Sequence, residues 1–352
     1  MRSITTLLAP ALLWLPSSLA DSDTATTRNL KRGIAFTPNE NWPDDDRYWA
    51  EAAEKGAVSW YYNFGWEASA AYKSVPQSTF EFVPMMWGAG TANGTDSYFA
   101  GNISDVIDKG RAISHVMTFS HPDGTAEDGG PVIKPRIAAR SWVNNAVPLQ
   151  QKGVKVGLPI VGDPYNWVTP FLANCSDILN KTAGKRDGEA KPECKFDFIP
   201  ITSYGDMAVL EDRVATFANA FPGVPIWLIE YGFNDQDLPK TQKFFNESLA
   251  FVEASKSVER YAWFGACRSI VSNVGPNAAM LNPYGELTDI GSWYLGGNAT
   301  GLEAIPTDQP TEAACTPEKP CGSGPKNGAS GARIDGLVMS LLAVGAVFVL
   351  FF

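Results

Sequence analysis

Eight short apolar runs, each separated from the next by a longer mixed segment, place the strongest constraint on what this chain can fold into. They cover residues 33–36, 59–63, 82–86, 116–119, 154–160, 198–201, 226–229 and 261–264, and are rich in Val, Ile, Phe, Tyr and Trp. Continuous runs of this length suit strands buried on both faces, as in a parallel sheet. The segments between them have room for a helix each, as over 46–55, 135–151, 207–219 and 240–255, and their Ala, Glu and Lys content agrees. Eight such units over about 260 residues predict an α/β fold of the (β/α)8 TIM-barrel type, spanning 32–300. A doubly wound open sheet would ordinarily carry a Gly-rich phosphate loop after its first strand. Gly88-Ala89-Gly90 lacks the remaining spacing, and no Walker, G-x-S-x-G or H-E-x-x-H motif occurs. Nucleotide cofactors, α/β-hydrolase chemistry and zincin chemistry all lose their markers.

Charge and histidine content narrow the function further. The 352 residues carry 28 basic and 38 acidic side chains, a net charge of -10, which is the wrong sign for a nucleic-acid partner. His115 and His121 are the only histidines, too few for a three-His metal site and at most two bases for a Ser or Cys triad. Neither a metal nor an organic cofactor is expected.

Both ends carry targeting patterns. Arg2, the apolar stretch 7–15 and Ser18-Leu19-Ala20 read as a secretory signal peptide over 1–20, leaving 21–31 as an N-terminal segment. After the barrel, 301–327 is a Pro/Thr/Gly/Ser-rich stalk. The last 16 residues, 337–352, are mostly apolar and follow a polar spacer with Arg333 and Asp335 and the small-residue run Asn327-Gly328-Ala329-Ser330-Gly331. That order is the pattern of a glycosylphosphatidylinositol signal, with attachment at Asn327 and 328–352 removed. A transmembrane helix would prefer about 20 apolar residues and a basic flank. The expected route is the secretory pathway to the cell surface, as a monomer touching the membrane only through a lipid anchor.

Six Asn-x-Ser/Thr acceptors, at Asn93, Asn102, Asn174, Asn180, Asn246 and Asn298, fit a secreted glycoprotein. Of five cysteines, Cys175 and Cys194 flank a Lys-rich insertion and Cys315 and Cys321 a short Pro-containing segment. Two local disulfides are the economical pairing, although spacing leaves the connectivity open. Cys267 reads as a small core residue.

In a barrel of this kind, binding and chemistry sit on the loops after the strands. The residues there include Asn63, Trp66, Trp87, His121, Asp123, Asp163, Tyr165, Trp167, Tyr204, Glu230, Tyr231 and Arg268. Aromatic faces cover the apolar faces of sugar rings while Asn, Asp and Tyr bond hydroxyls, so this rim suits carbohydrate. Any single Trp among them can equally be core. Glu230 ends the apolar run 226–229 and must reach the mouth or a buried partner such as Arg268.

Several segments together resemble the fungal Asl1-like glycosyl hydrolases, glycoside hydrolase family 128. They are Trp60-Tyr61-Tyr62-Asn63, Phe82-Val83-Pro84-Met85-Met86-Trp87-Gly88, Lys152-Gly153-Val154-Lys155-Val156-Gly157, Cys194-Lys195-Phe196-Asp197-Phe198-Ile199-Pro200, Ile226-Trp227-Leu228-Ile229-Glu230 and Glu259-Arg260-Tyr261-Ala262-Trp263-Phe264-Gly265, in the family's order over about 32–295. The resemblance implies a barrel acting on β-1,3-glucan with retention, using one glutamate after strand four and another, the nucleophile, after strand seven. Glu230 matches the nucleophile. Where the family has Gly-Phe-Asn-Glu-Pro-Asp, this chain reads Thr118-Phe119-Ser120-His121-Pro122-Asp123, so His121 stands in the place of the acid/base glutamate. The strand-six pattern His-Trp-Tyr is also altered, to Thr202-Ser203-Tyr204. Asn63, Trp66, Trp87, Asp123, Tyr204, Tyr231 and Trp263 are the expected substrate-binding residues.

Retention requires a nucleophile and a second group, about 5 to 5.5 Å away, that protonates the leaving oxygen and then deprotonates water. An imidazole titrating near pH 6.5 can donate and accept in turn, which makes His121 the first substitute. Asp123, Glu127 and Asp128 are further donors by type, but their glycine-rich contexts read first as turns. Two readings follow: a β-1,3-glucan hydrolase using Glu230 and His121, or a β-glucan-binding protein on a barrel that has lost its acid. A structural mannoprotein or adhesin fits less well, because the stalk is short and internal repeats are absent.

Overall fold

A computed structural model describes residues 28–39, 41–125, 130–182, 194–235 and 237–305. The signal peptide, most of the stalk, Cys315, Cys321, Asn327, the C-terminal apolar segment, Glu127 and Asp128 lie outside the described residues. Among the described residues no helix is long and apolar enough to cross a membrane.

The apolar runs become strands that are each too short to stand alone. β1 (Gly33–Ala35), β2 (Trp60–Tyr62) and β3 (Glu81–Phe82) pair in parallel. Pro84, which lacks an N–H, interrupts the third run, and pairing resumes at Met85, which bridges to Met117 beyond β4 (His115–Val116). β4 pairs with β5 (Lys155–Val156), and Gly157 bridges to Phe198 at the start of β6 (Ile199–Tyr204). β6 pairs with β7 (Ile226–Gly232) and β7 with β8 (Val258–Trp263), and Arg32 bridges to Tyr261 to close the ring. The circuit is wholly parallel, so the fold is the (β/α)8 barrel.

The outer layer is α1 (Arg47–Glu54), α2 (Tyr98–Asp108), α3 (Pro135–Gln151), α4 (Val168–Thr182), α5 (Met207–Ala220), α6 (Leu238–Ala254) and α7 (Asp289–Tyr294). After β2 there is a single 3-10 turn, Ala70–Tyr72, instead of a helix. That stretch opens with Phe64 in the left-handed region and holds Pro76, both hostile to a continuous helix. Carboxylates cap the helices that follow the site: Asp206 accepts from Val209 N at 3.1 Å and Asp237 from Lys240 N at 2.9 Å. A disulfide joins Cys175 of α4 to Cys194. Cys267 is free, and burial pushes its thiol up to about 12.

Large side chains fill the barrel interior from the floor upward. Phe198 stacks on Trp227 with centroids 3.9 Å apart, and Trp227 meets Trp60 at 5.5 Å. Glycine makes room for them: a Cβ on Gly33 would collide with the Trp60 indole, and one on Gly157 would lie 2.6 Å from the Phe198 ring. Beneath, the Arg260 guanidinium lies 4.2 Å from the Trp227 centroid and pairs with Glu81 at 2.7 Å, whose other oxygen lies 2.9 Å from His115 Nδ1. Burial alone would raise the Glu81 carboxyl, but the bonds to His115 and Arg260 outweigh it and hold the pKa down to about 2, from 4.5. The carboxylate therefore contributes stability that is complete above about pH 4.5 and lost as pH falls toward 2, on the order of 3 kcal/mol. Thermal unfolding between pH 6 and 2 should show a steep loss below pH 4.5 that Glu81→Gln flattens while lowering the midpoint at pH 6; parallel curves would exclude this assignment.

Candidate active site

Glu230 reaches the barrel mouth because β7 does not keep a regular register. Ile201 of β6 pairs with Leu228 whereas Thr202 pairs with Glu230, so Ile229 is an extra residue on β7. Strict alternation would set Glu230 on the face of Ile226 and Leu228, which pack outward under the helices. The bulge turns it inward beside Ile229, where Tyr62 meets it, and sends Tyr231 outward.

The Glu230 side chain is 1% exposed and meets that burial with one donor per oxygen. Tyr62 Oη donates to Oε1 at 2.8 Å and Tyr204 Oη to Oε2 at 2.7 Å. Burial first, and then the charge of Glu230, raises both tyrosine hydroxyls well above the ordinary phenol range, so both keep the protons they donate. Arg268 is not its partner: the guanidinium forms a two-toothed pair with Asp45, at 2.7 and 2.8 Å.

Of the two histidines only His121 stands at the mouth; His115 belongs to the floor. His121 has φ 48°, a left-handed conformation that costs a side-chain-bearing residue about 1 to 2 kcal/mol. Its backbone N donates to Ile160 O at 2.8 Å, and its ring nitrogens meet Ser120 Oγ at 3.2 Å and Thr202 Oγ1 at 3.1 Å. Thr202 is the residue paired with Glu230, so the imidazole is tied to the strand position beside the carboxyl. Arg213 holds this corner from behind, with Nε donating to Thr202 O at 3.1 Å and Nη2 to Val161 O at 2.8 Å.

The other expected binding residues divide into two groups. Trp87 is half-buried against the barrel interior, and Trp66 is half-buried with its ring edge-on to the exposed Tyr98. Asn63 turns back into its own loop, Nδ2 donating to Glu67 O and Ser69 Oγ, both at 2.9 Å. Asp123 accepts from Gly162 N at 2.7 Å, joining the loops after β4 and β5. Tyr231 and Trp263 are corrections. Both are fully buried between barrel and helices, 5.2 Å apart, and Trp263 Nε1 donates to Ala278 O at 2.8 Å, so neither ring can meet a ligand.

Tyr62, Thr202, Phe64 and Phe264 at the mouth were not singled out from sequence. Tyr62 and Phe264 lie within the family-like segments and Thr202 in the altered strand-six pattern, but only the fold shows that Tyr62 bonds Glu230 and Thr202 bonds His121. Among the acceptor asparagines, Asn93, Asn246 and Asn298 are exposed and Asn174 and Asn180 half-buried, while the Asn102 amide nitrogen is buried inside α2. Among the described residues no group of three His, Cys, Asp or Glu side chains is gathered as a metal site.

A family model described as "Glycosyl hydrolase catalytic core" matches residues 33–294, from the first strand to the last helix. The chain belongs to this family. Within the glycosyl hydrolase catalytic-core family it is 29% identical over 275 residues to alkali-sensitive linkage protein 1 of Schizosaccharomyces pombe, covering 75% of this chain and 44% of that protein. The chain thus spans less than half the length of that relative. Its fold is that of a family 128 (subgroup II) endo-β-1,3-glucanase from Sorangium cellulosum, with TM-score 0.58 at 23% identity, covering 77% of this chain and 99% of that one. It is also that of a family 128 (subgroup VII) oligosaccharide-binding protein from Cryptococcus neoformans, with TM-score 0.54 at 21% identity, covering 78% and 96%.

In this catalytic core the two tyrosine donors make Glu230 tolerable at its depth. Tyr62→Phe should cost about 1 to 3 kcal/mol in denaturant unfolding, the range for stripping a partner from a buried polar group. Combined with Glu230→Gln, the loss should be smaller than the sum of the single losses. Additive losses would mean that the hydroxyl and the carboxyl are not coupled.

Proposed function

We propose that this glycosyl hydrolase catalytic core is a secreted, surface-anchored β-1,3-glucan-binding protein whose hydrolytic step is crippled. The observation that carries the reading is the state of the acid/base place. His121, which the sequence resemblance assigns to that place, sits in a left-handed turn with both ring nitrogens engaged by Ser120 and Thr202. An imidazole bonded in this way, and differing from a carboxyl in shape, is poorly placed to protonate a leaving glycosidic oxygen, a step sensitive to small displacements. Glu230, Tyr204 and Trp87 still furnish a carboxyl, a hydroxyl and an aromatic face at the mouth, which suits a sugar chain whether or not it is cut. Support for the ligand comes from two solved relatives of the same fold, one titled an endo-β-1,3-glucanase and the other an oligosaccharide-binding protein. Support for the anchored, secreted state comes from the signal pattern at 1–20 and from the small-residue, spacer and apolar-tail order around Asn327.

One observation favours a second reading, a retaining hydrolase with Glu230 as nucleophile and His121 as acid/base. The imidazole is linked through Thr202 to the strand position paired with Glu230, so both groups belong to one corner of the mouth. Calorimetry and mass-spectrometric product analysis of the full chain with β-1,3-gluco-oligosaccharides from pH 4 to 7 separate the two. Intact oligosaccharides bound by the protein, with turnover raised by orders of magnitude in His121→Glu, are the expected outcome. Products formed by the wild type and abolished in Glu230→Gln would establish the hydrolase instead.

A further inference from the structure

Beside the mouth lies a second cleft of about 200 Å3, between the loop after β1 and the loop after β8. Trp42, Asn39, Asp46, Phe264 and Arg268 line it. Its two loops are clamped together by the Asp45–Arg268 pair, with the guanidinium 4.6 Å from the Trp42 centroid and Nη1 donating to Pro283 O at 3.1 Å. Gly285, in the left-handed region at φ 84°, lies where a Cβ would come within 2.8 Å of the Asp45 carboxylate, so the clamp requires a bare backbone there. The cleft is therefore built and held rather than an accident of loose loops.

We infer that this cleft is a further sugar-binding subsite, taking one residue of the same glucan chain that the mouth holds. Three features carry the inference. Phe264 belongs to both places: it lines the cleft, and its ring lies edge-on to Tyr204, the donor to Glu230, at 6.0 Å. A chain leaving the mouth on the β8 side thus meets the cleft at Phe264. Trp42 lines the cleft with its ring held by the Arg268 guanidinium, an aromatic surface of fixed position for a pyranose. Asp46 is a half-buried carboxyl in the cleft wall whose side chain has no hydrogen-bond donor among the described residues.

Asp46 also indicates what kind of ligand belongs there. Burial, and then the neighbouring Asp45, raise its pKa to about 6, the behaviour of a carboxyl starved of donors. Sugar hydroxyls supply such donors, and Asn39 adds an amide for a second hydroxyl. A metal ion fits less well, because the Asp45 charge is matched by Arg268 and Asp46 alone offers too few oxygens.

The inference rests on the glucan reading, and one titration series separates their failures. Laminari-oligosaccharides of two to six residues are titrated calorimetrically into the full chain, into Asp46→Asn and into Trp42→Ala. In the wild type, affinity should rise with chain length. In both variants the shortest ligands should bind as before, while the gain from lengthening drops roughly tenfold, the loss of one charged hydrogen bond or one stacked ring. Full retention of the gain in Asp46→Asn, a change that keeps the side chain's size, overturns the subsite even if Trp42→Ala proves unstable. Absence of wild-type binding at every length overturns the glucan reading and the subsite with it.

Discussion

Closing eight parallel strands into a ring leaves the inward side chains no solvent to face, so each must be packed or bonded by another inside the ring. At the floor this is met by size and charge: Trp60, Phe198 and Trp227 interleave over Gly33 and Gly157, and Arg260 lies under the aromatic stack paired with Glu81, whose carboxylate it shares with His115. Higher up, the same constraint governs polar groups. Glu230 is tolerated because Tyr62 and Tyr204 bring their hydroxyls to its two oxygens from β2 and β6.

The mouth inherits its rigidity from that enclosure and its diversity from the loops. Arg213 joins the loop after β5 to Thr202 of β6, Asp123 ties the loop after β4 to Gly162, and His121 is bonded on both ring nitrogens. Around the ring, the Asp45–Arg268 clamp fixes the loop after β1 against that after β8. A site held this firmly has little ordering of its own left to do when a ligand enters.

Composition and pattern carried most of the architecture. Alternation of apolar runs with helical segments located the strands and several helices, because burial on both faces demands continuous apolar sequence. The third to fifth strands are shorter than their runs, since Pro84 removes a ladder donor and a run marks what is buried rather than what is paired. The missing helix after β2 followed from the chemistry of 64–80, which holds Gly65 and Pro76.

Sequence by itself determined the order of the strands, the presence of a carboxylate at the end of the seventh and of Ser120-His121 after the fourth, because these are matters of which residue follows which. Tertiary structure alone decided which way those residues point. A period of two cannot reveal that Ile229 is an extra residue, and that one residue turns Glu230 inward and Tyr231 outward. Nor can local sequence say that Arg268 serves Asp45, more than 200 positions away, or that Trp263 faces the helices. Such pairings depend on the closure of the ring, which brings the first and last loops together and is written in no single segment.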